Sequence, residues 1–397
     1  MTPQRRVEHP KRVLIICQLD GFANSVRPLE FQRFLQSLGH EVSLADTYSL
    51  SRASAARGSV RQKLPGSLRP SKLALYANEA ASKLCCRRWR FGRRHLTYHV
   101  LMADYRLRRS VLGSVLPLDD FDLVICQTPY DAGALTVAGS ARTLYDCPTP
   151  WADELFDEGQ LTAKQHERLR RREAELFERV DHLAFHWESY GYYALEHYGI
   201  SGHNLMRLNW GCTPAAGRAR FADPPRVVYL GSLGTRRSIN VPQLARLSEL
   251  YPHIDVYGGP PPDPRLGLNY LGYASPDILR QYQFGLITSS DDDLRRDGFS
   301  AKHLHYLAQG LPVLVPAWRN HLDLLRGSVP YTEQTFPAVI SRLSDETEWQ
   351  SVSDEAYSQA QQLTWEKNLR PLETLLAETS GSRGPVSRRR GRSSANR

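Results

Sequence analysis

The residues best suited to chemistry stand close together in DGFSAKHLHYLAQGLPVLVPA, Asp297 to Ala317. A turn of Gly298, Phe299 and Ser300 runs into a helical pattern whose first turn carries Lys302. Leu304, Leu307, Ala308 and Leu311 give that helix a buried stripe, which leaves Lys302, His305 and Gln309 on another face. A cation in a first turn opposes the helix macrodipole and calls for a further reason to be there. A fixed ammonium, a glycine that lets the backbone come close and the N–H groups of a helix start would together hold a phosphate-type anion. The loop after RVVYLGS offers Gly231, Gly234, Arg236 and Arg237 to the same anion from the opposite side.

Groups that could move or accept a proton follow strand-like runs in the first half of the chain. Asp20 comes after RVLIICQL, Asp146 after RTLY and His186 after DHLAF, so all three are expected at the rim of a cleft. Asp146 and Asp20 lead as candidate bases, with His186 behind them. Gln127, after FDLVIC, suits orientation of a substrate, because an amide does not titrate. Asp291 and Asp293 form a DxD in SSDDD, a spacing that can bind a divalent cation, but three adjacent aspartates after a strand read as an exposed loop and no metal is expected.

The elements that must position these residues alternate. RVLIICQ is an apolar strand, Phe31, Phe34, Leu35 and Leu38 follow at helical spacing, Gly39 ends the helix and EVSLAD begins another strand. FDLVICQ, ARTLYDC and DHLAFH continue the series. NWGCTPAAGRARFADPPR then breaks the pattern with glycine, proline and alanine, which marks a domain boundary. After it come RVVYLGS, HIDVYGG, LNYLGY, FGLITSS and LPVLVPA, with helices near 240–250 and 299–309, and a long polar helical stretch over 346–378. The α/β alternation predicts two doubly wound parallel sheets in tandem with a ligand cleft between them. The boundaries expected are a domain over 1–208 with a basic helical insertion at about 49–118, a linker over 209–225, a second domain over 226–345, the closing helical segment and a disordered tail over 379–397.

Charge is local. Residues 52–109 hold fifteen Lys or Arg against Glu79 and Asp104, and 380–397 hold six Arg and no acid, so a net +9 over 397 residues leaves the rest of the chain acidic. Leu73, Leu75, Tyr76, Trp89, Phe91, Tyr98, Leu101 and Tyr105 lie between the arginines of the first block, a mixture suited to a peripheral contact with an anionic membrane surface through 52–109. No apolar run approaches the roughly 20 residues of a membrane span, and the charged N-terminus lacks a signal-peptide core, so a cytoplasmic location at the inner face of the membrane is expected. The six cysteines show no CxxC pair; Cys17 and Cys126 read as small core residues.

In its second half the chain resembles nucleotide-sugar glycosyltransferases of the GT-B fold. Asp297 to Ala317 is similar to the family's donor-site turn, helix and GxPVI pattern; RLNWGCTPAAGRARF resembles its interdomain linker, RVVYLGSLGTRR its Gly-loop strand, LTWEKNLRPL its closing Trp helix, and RVLIICQLDGFANS with SLGHEV its acceptor-domain entry. The resemblance implies two Rossmann-like domains, a donor site that includes Asp297 and His305, and an acceptor side that includes Gly21 and Asn24. Retaining members carry two glutamates where this chain has Asp297 and His305. The implied activity is hexosyl transfer from a nucleotide-diphosphate sugar to a glycan, glycolipid or other membrane-associated acceptor, without a metal or other cofactor. Three alternatives stay open: a nucleotide-sugar epimerase, a non-catalytic scaffold of the same fold, and a basic nucleic-acid-binding protein, although no nucleic-acid motif is visible.

Overall fold

A computed structural model describes residues 9–19, 23–47, 93–233, 240–319 and 325–378. The first sheet holds β1 (Arg12–Cys17), β2 (Glu41–Asp46), β3 (Leu123–Cys126), β4 (Arg142–Cys147) and β5 (His182–Phe185) in the order β2-β1-β3-β4-β5. All its pairings are parallel, with Val13 opposite both Val42 and Leu123. Its helices are α1 (Ala23–Ser37), α2 (Arg93–Val115), α3 (Trp151–Asp157), α4 (Ala163–Arg179) and α5 (Glu188–Tyr198). The central strands are the most apolar because helices cover both faces of the sheet; Val13 to Cys17 and Leu123 to Cys126 are fully buried. Phe31, Phe34 and Leu35 turn inward as their spacing predicts, and Gly39 ends α1 at φ 92°.

The second sheet is also parallel and runs β11-β10-β9-β6-β7-β8. Its strands are β6 (Val227–Leu230), β7 (Ile254–Tyr257), β8 (Asn269–Tyr270), β9 (Phe284–Leu286), β10 (Val313–Pro316) and β11 (Ser328–Tyr331). Between and after them lie α6 (Val241–Leu250), α7 (Asp293–Arg296), α8 (Ala301–Ala308), α9 (Phe336–Arg342), α10 (Glu346–Gln362), α11 (Trp365–Leu369) and α12 (Pro371–Glu378). Strand order reverses between β1 and β3 in the first sheet and between β6 and β9 in the second, which is where open α/β sheets bind ligands, outside the carboxyl ends of their strands. The single closing helix expected over 346–378 is three helices: Thr364 caps α11, and Pro371 starts α12 because it cannot continue a helix as a donor.

One expectation is corrected here. Within 52–109, residues 93–109 form part of α2 and belong to the first domain's packing rather than to a free basic face. Tyr98 and Met102 are buried with Trp151, Leu155 and Leu169, and Leu101 and Tyr105 pack against the same cluster. Arg108 is 4% exposed, with Asp104 at 2.8 Å and Asp131 at 3.0 Å. The apolar residues of α2, Tyr98, Leu101, Met102 and Tyr105, pack with α3. The rest of the insertion before Arg93, and the tail after Glu378, lie outside the described residues. No helix among the described residues is long and apolar enough to cross a membrane.

Candidate active site

At the carboxyl ends of β1, β3, β4 and β5 lies a cavity of about 400 Å³. Its floor is a buried polar network. Arg27, near the start of α1, forks onto Asp146 with Nε and Nη2 each 2.7 Å from a carboxylate oxygen, and Nη2 also donates to the Leu208 carbonyl. The Gln127 amide donates to Asp146 at 2.7 Å, and His186 Nε2 lies 3.9 Å away. Burial alone would raise the Asp146 carboxyl, but the Arg27 guanidinium and the Gln127 hydrogen bond outweigh it and hold it below the ordinary range. Burial and the neighbouring Arg27 push the His186 imidazole down to about 3, so it is neutral at physiological pH.

One wall is α3, which presents Trp151, Glu154, Leu155 and, at its C-cap, Glu158 at i, i+3, i+4 and i+7. Glu173 on α4 fixes this wall by accepting from the Trp151 N–H at 2.9 Å and the Ala152 N–H at 3.0 Å. The opposite wall comes from the second domain as Arg295, Phe299 and Ala301. The cavity is therefore shared between the two halves. They meet at the start of α5, where Trp187 stacks on Phe299 with ring centroids 3.9 Å apart, and Ser189 Oγ donates to the Asp297 carbonyl.

Across the second sheet's switch point, Lys302 extends from the first turn of α8 over Tyr229, donating to its hydroxyl at 2.9 Å. Gly231, one residue past β6, lies so close that a Cβ there would stand 2.9 Å from Lys302 Cδ. Gly258 at φ 99° lets the next loop reach the Gly231 carbonyl, where a Cβ would come within 2.9 Å. Burial, with Arg319 nearby, lowers the Lys302 ammonium to about 8. The first N–H groups of α8 have no helical acceptor and open beside this ammonium. The arrangement suits an anion that would bring the lysine its missing counter-charge.

No protein-family model and no curated protein sequence matches the chain. Solved structures do. Sucrose-phosphate synthase of Thermosynechococcus elongatus superposes with a TM-score of 0.65 at 10% identity, over 93% of this chain and 98% of that one. HepE of Anabaena in complex with UDP-glucose gives 0.57 at 13% identity over 93% and 100%. A glycosyltransferase of Rickettsia africae gives 0.54 at 11% over 94% and 100%. The chain has the GT-B fold. In this GT-B chain the carboxyl ends of the first sheet's strands form the cavity floor, and the second domain adds Arg295, Phe299 and Ala301 from α7 to the start of α8.

Several expected site residues change roles. Asp146 reaches the cleft floor, but both its oxygens are occupied and it is 0% exposed, so it anchors the floor rather than serving as a free base. Gly298 is corrected from a ligand contact to an interface residue. Its N–H donates to the Arg295 carbonyl, its carbonyl accepts from Arg319, and a Cβ would stand 3.0 Å from the Tyr190 hydroxyl. Phe299 stacks on Trp187 and also lines the cavity. Gln309 turns from the expected cleft face to the linker, where its carbonyl accepts from the Ala219 N–H. Asp297, Ser300 and His305 are half-buried around the start of α8, and burial lowers the His305 imidazole. Asp291 and Asp293 are both paired to Arg296, and Asp292 caps α7, so the DxD is used for local structure; no group of metal-ligating side chains occurs among the described residues. Asp20, Gly21, Arg236, Arg237 and the side chain of Asn24 lie outside the described residues.

Arg27, Thr128, Thr149, Trp210 and Arg295 line the cavity without having been singled out from sequence. Thr128 and Thr149 each sit two residues past a strand end, a position that could have flagged them. Arg27 lies in a helix beside inward-facing Phe31, and a charge next to an apolar stripe was its one signal.

Proposed function

We propose that this chain is a glycosyltransferase that moves a sugar, most simply a hexose, from a nucleotide-diphosphate donor to a glycan or glycolipid hydroxyl. Fold alone does not assign a reaction. The observation that carries the reading is the contact of Lys302 with Gly231 at one switch point, next to a cavity built on the other. The diphosphate would lie at the start of α8 against Lys302, with Ser300, Gly231 and His305 around it. The acceptor hydroxyl would enter the cavity. Its oxygen bonds to the anomeric carbon as the bond from that carbon to the phosphate oxygen breaks. The electron pair leaves with the nucleoside diphosphate, and the hydroxyl proton passes to His186 Nε2, which has no partner in the resting fold. The Asp146 carboxylate, 3.9 Å away, stabilises the imidazolium that results.

The chemistry draws on fixed cations rather than a metal. The basic sequence ahead of α2 supports a membrane-associated acceptor on the cytoplasmic side, and co-sedimentation with phosphatidylglycerol vesicles tests that part. For the transferase reading, UDP, GDP, ADP and dTDP are screened for a rise in melting temperature; saturation at about a hundred times Kd adds roughly 2.7 kcal/mol. Release of nucleoside diphosphate from the matching sugar donor should then fall about 10²- to 10⁴-fold in His186→Ala. No response to any of the four nucleotides would end this reading.

A further inference from the structure

The cavity floor concentrates polar atoms that the fold leaves without partners. Arg27 Nη1, Gln127 Oε1, Thr128 Oγ1, Thr149 Oγ1, His186 Nε2 and Trp210 Nε1 are each buried and unbonded, and all six residues line the same space. A buried polar atom without a partner is costly, because it has given up its hydrogen bonds to water and gained none. Six of them around one cavity mark a place completed by a ligand rather than by the protein itself. Guanidinium and indole N–H groups donate, an amide oxygen accepts, and threonine hydroxyls do either. That mixture matches a set of sugar hydroxyls, each of which also donates and accepts. Trp151 and Tyr130, in edge contact at 5.2 Å, add aromatic surface for the apolar face of a sugar ring. The volume, about 400 Å³, stands at the low end for small-ligand sites, suited to one or two rings.

Charge decides between neutral and acidic sugars. Arg27 is already committed to Asp146, and Arg295 lies 3.7 Å from Glu154. Glu154 and Glu158 both stand on the wall. Among the described lining residues, each arginine thus has a carboxylate beside it. A phosphate or carboxylate entering here would lose its water without gaining an uncommitted cation, and would face the two glutamates. We infer that the pocket selects an uncharged, hydroxyl-rich saccharide of one or two rings as the acceptor end of the reaction, held by Arg27, Thr128, Thr149 and Trp210, and that it rejects sugar phosphates and uronic acids. This rests on the transferase reading for what becomes of the saccharide, but not for its binding.

The test is titration calorimetry at saturating UDP with glucose, galactose, mannose, N-acetylglucosamine, lactose and maltose against glucose 6-phosphate and glucuronic acid. At least one neutral sugar should bind, and the acidic ones at least about tenfold more weakly. Thr149→Val and Trp210→Phe, each verified as folded by its circular-dichroism melt, should weaken the neutral sugar by about tenfold, the loss of roughly one hydrogen bond. Glu154→Gln combined with Glu158→Gln should gain binding of glucose 6-phosphate. The inference is overturned if no neutral sugar in the series binds, or if an acidic one binds as tightly. The nucleotide screen separates the two claims. Nucleotide binding with an acidic preference sinks this inference and leaves the transferase reading standing, whereas neutral-sugar binding with no response to any of the four nucleotides does the reverse.

Discussion

At the floor of the cavity two full charges, Arg27 and Asp146, are withdrawn from water together. Such a pair adds little net stability, but removing one partner strands the other, at a cost of about 3–5 kcal/mol. Asp146→Asn should therefore lower the free energy of unfolding by about that amount in urea titration. Because the folded-state pKa of Asp146 is depressed, the contribution is present above the unfolded carboxylate range and is lost only as pH falls through the lower folded value. Lys302 gives the opposite case. With an ammonium lowered to about 8, the fold binds fewer protons than the unfolded chain between pH 8 and the ordinary lysine range, so its contribution to stability improves as pH rises there. An added diphosphate restores the charge, with Arg319 and Tyr229 as its other neighbours. Nucleoside-diphosphate affinity should thus weaken as pH climbs from 7 to 9.5, by up to about tenfold per unit above 8. Lys302→Arg should flatten that dependence in calorimetry. Lys302, Gly231, Gln127, Asp146 and His186 were legible because they follow strand-like runs or break a helix rule. Arg27 and Trp210 were not, since their roles depend on which segments meet in space.

At the scale of elements, the divergence of β6 and β9 at the second switch point has a specific solution. The two strands pair only at Val227 with Phe284 and Val228 with Gly285. Beyond that, Tyr306 on α8 lies over Gly285, where a Cβ would fall 2.2 Å from its ring. Its hydroxyl accepts from the Leu230 N–H at 2.9 Å and donates to the Leu286 carbonyl at 3.3 Å. One phenol thus replaces the ladder where the sheet opens, and ties α8 to both strands. Tyr306→Phe leaves two buried backbone groups unsatisfied and should cost roughly 1–3 kcal/mol in thermal or chemical melts. Ten of the eleven strands could be read from apolar runs bounded by turn residues. The exception, β11, is SVPY at the sheet edge, where four residues with a proline give no periodic signal. The burial of α2 was hidden for a different reason: alternating aromatic and basic residues look alike whether the aromatics face lipid or face α3.

At the scale of the molecule, the halves meet face to face at the start of α5. Trp187 on Phe299 is the apolar centre of that contact, and the Ser189 contact to Asp297 sits beside it. Phe299→Ala removes the stack and should shift the population toward a more open arrangement, read as a larger radius of gyration in small-angle scattering that nucleoside diphosphate reverses. The two-sheet plan was plain in the sequence from the α/β alternation and the Gly- and Pro-rich break. The closed contact was not, because Asp297 and Phe299 read as donor contacts and nothing in the sequence marked Trp187 or Ser189 as their partners.

The chain passes between the halves twice, and the two passages are sewn together. Cys212 bridges to Thr364 and its N–H donates to the Leu363 carbonyl, while Gly211 lies so close to Trp365 that a Cβ would fall 2.6 Å from its Cα. Two crossings fused side by side behave as a single hinge pin, so the lobes can swing about one axis but cannot slide or twist freely. Trp210, which lines the cavity floor, stacks near Trp365 and offers its carbonyl to Asn368, one residue from that pin. A swing about this pin would carry the Trp210 indole, and with it the cavity floor, and would widen the cleft on the side opposite the pin.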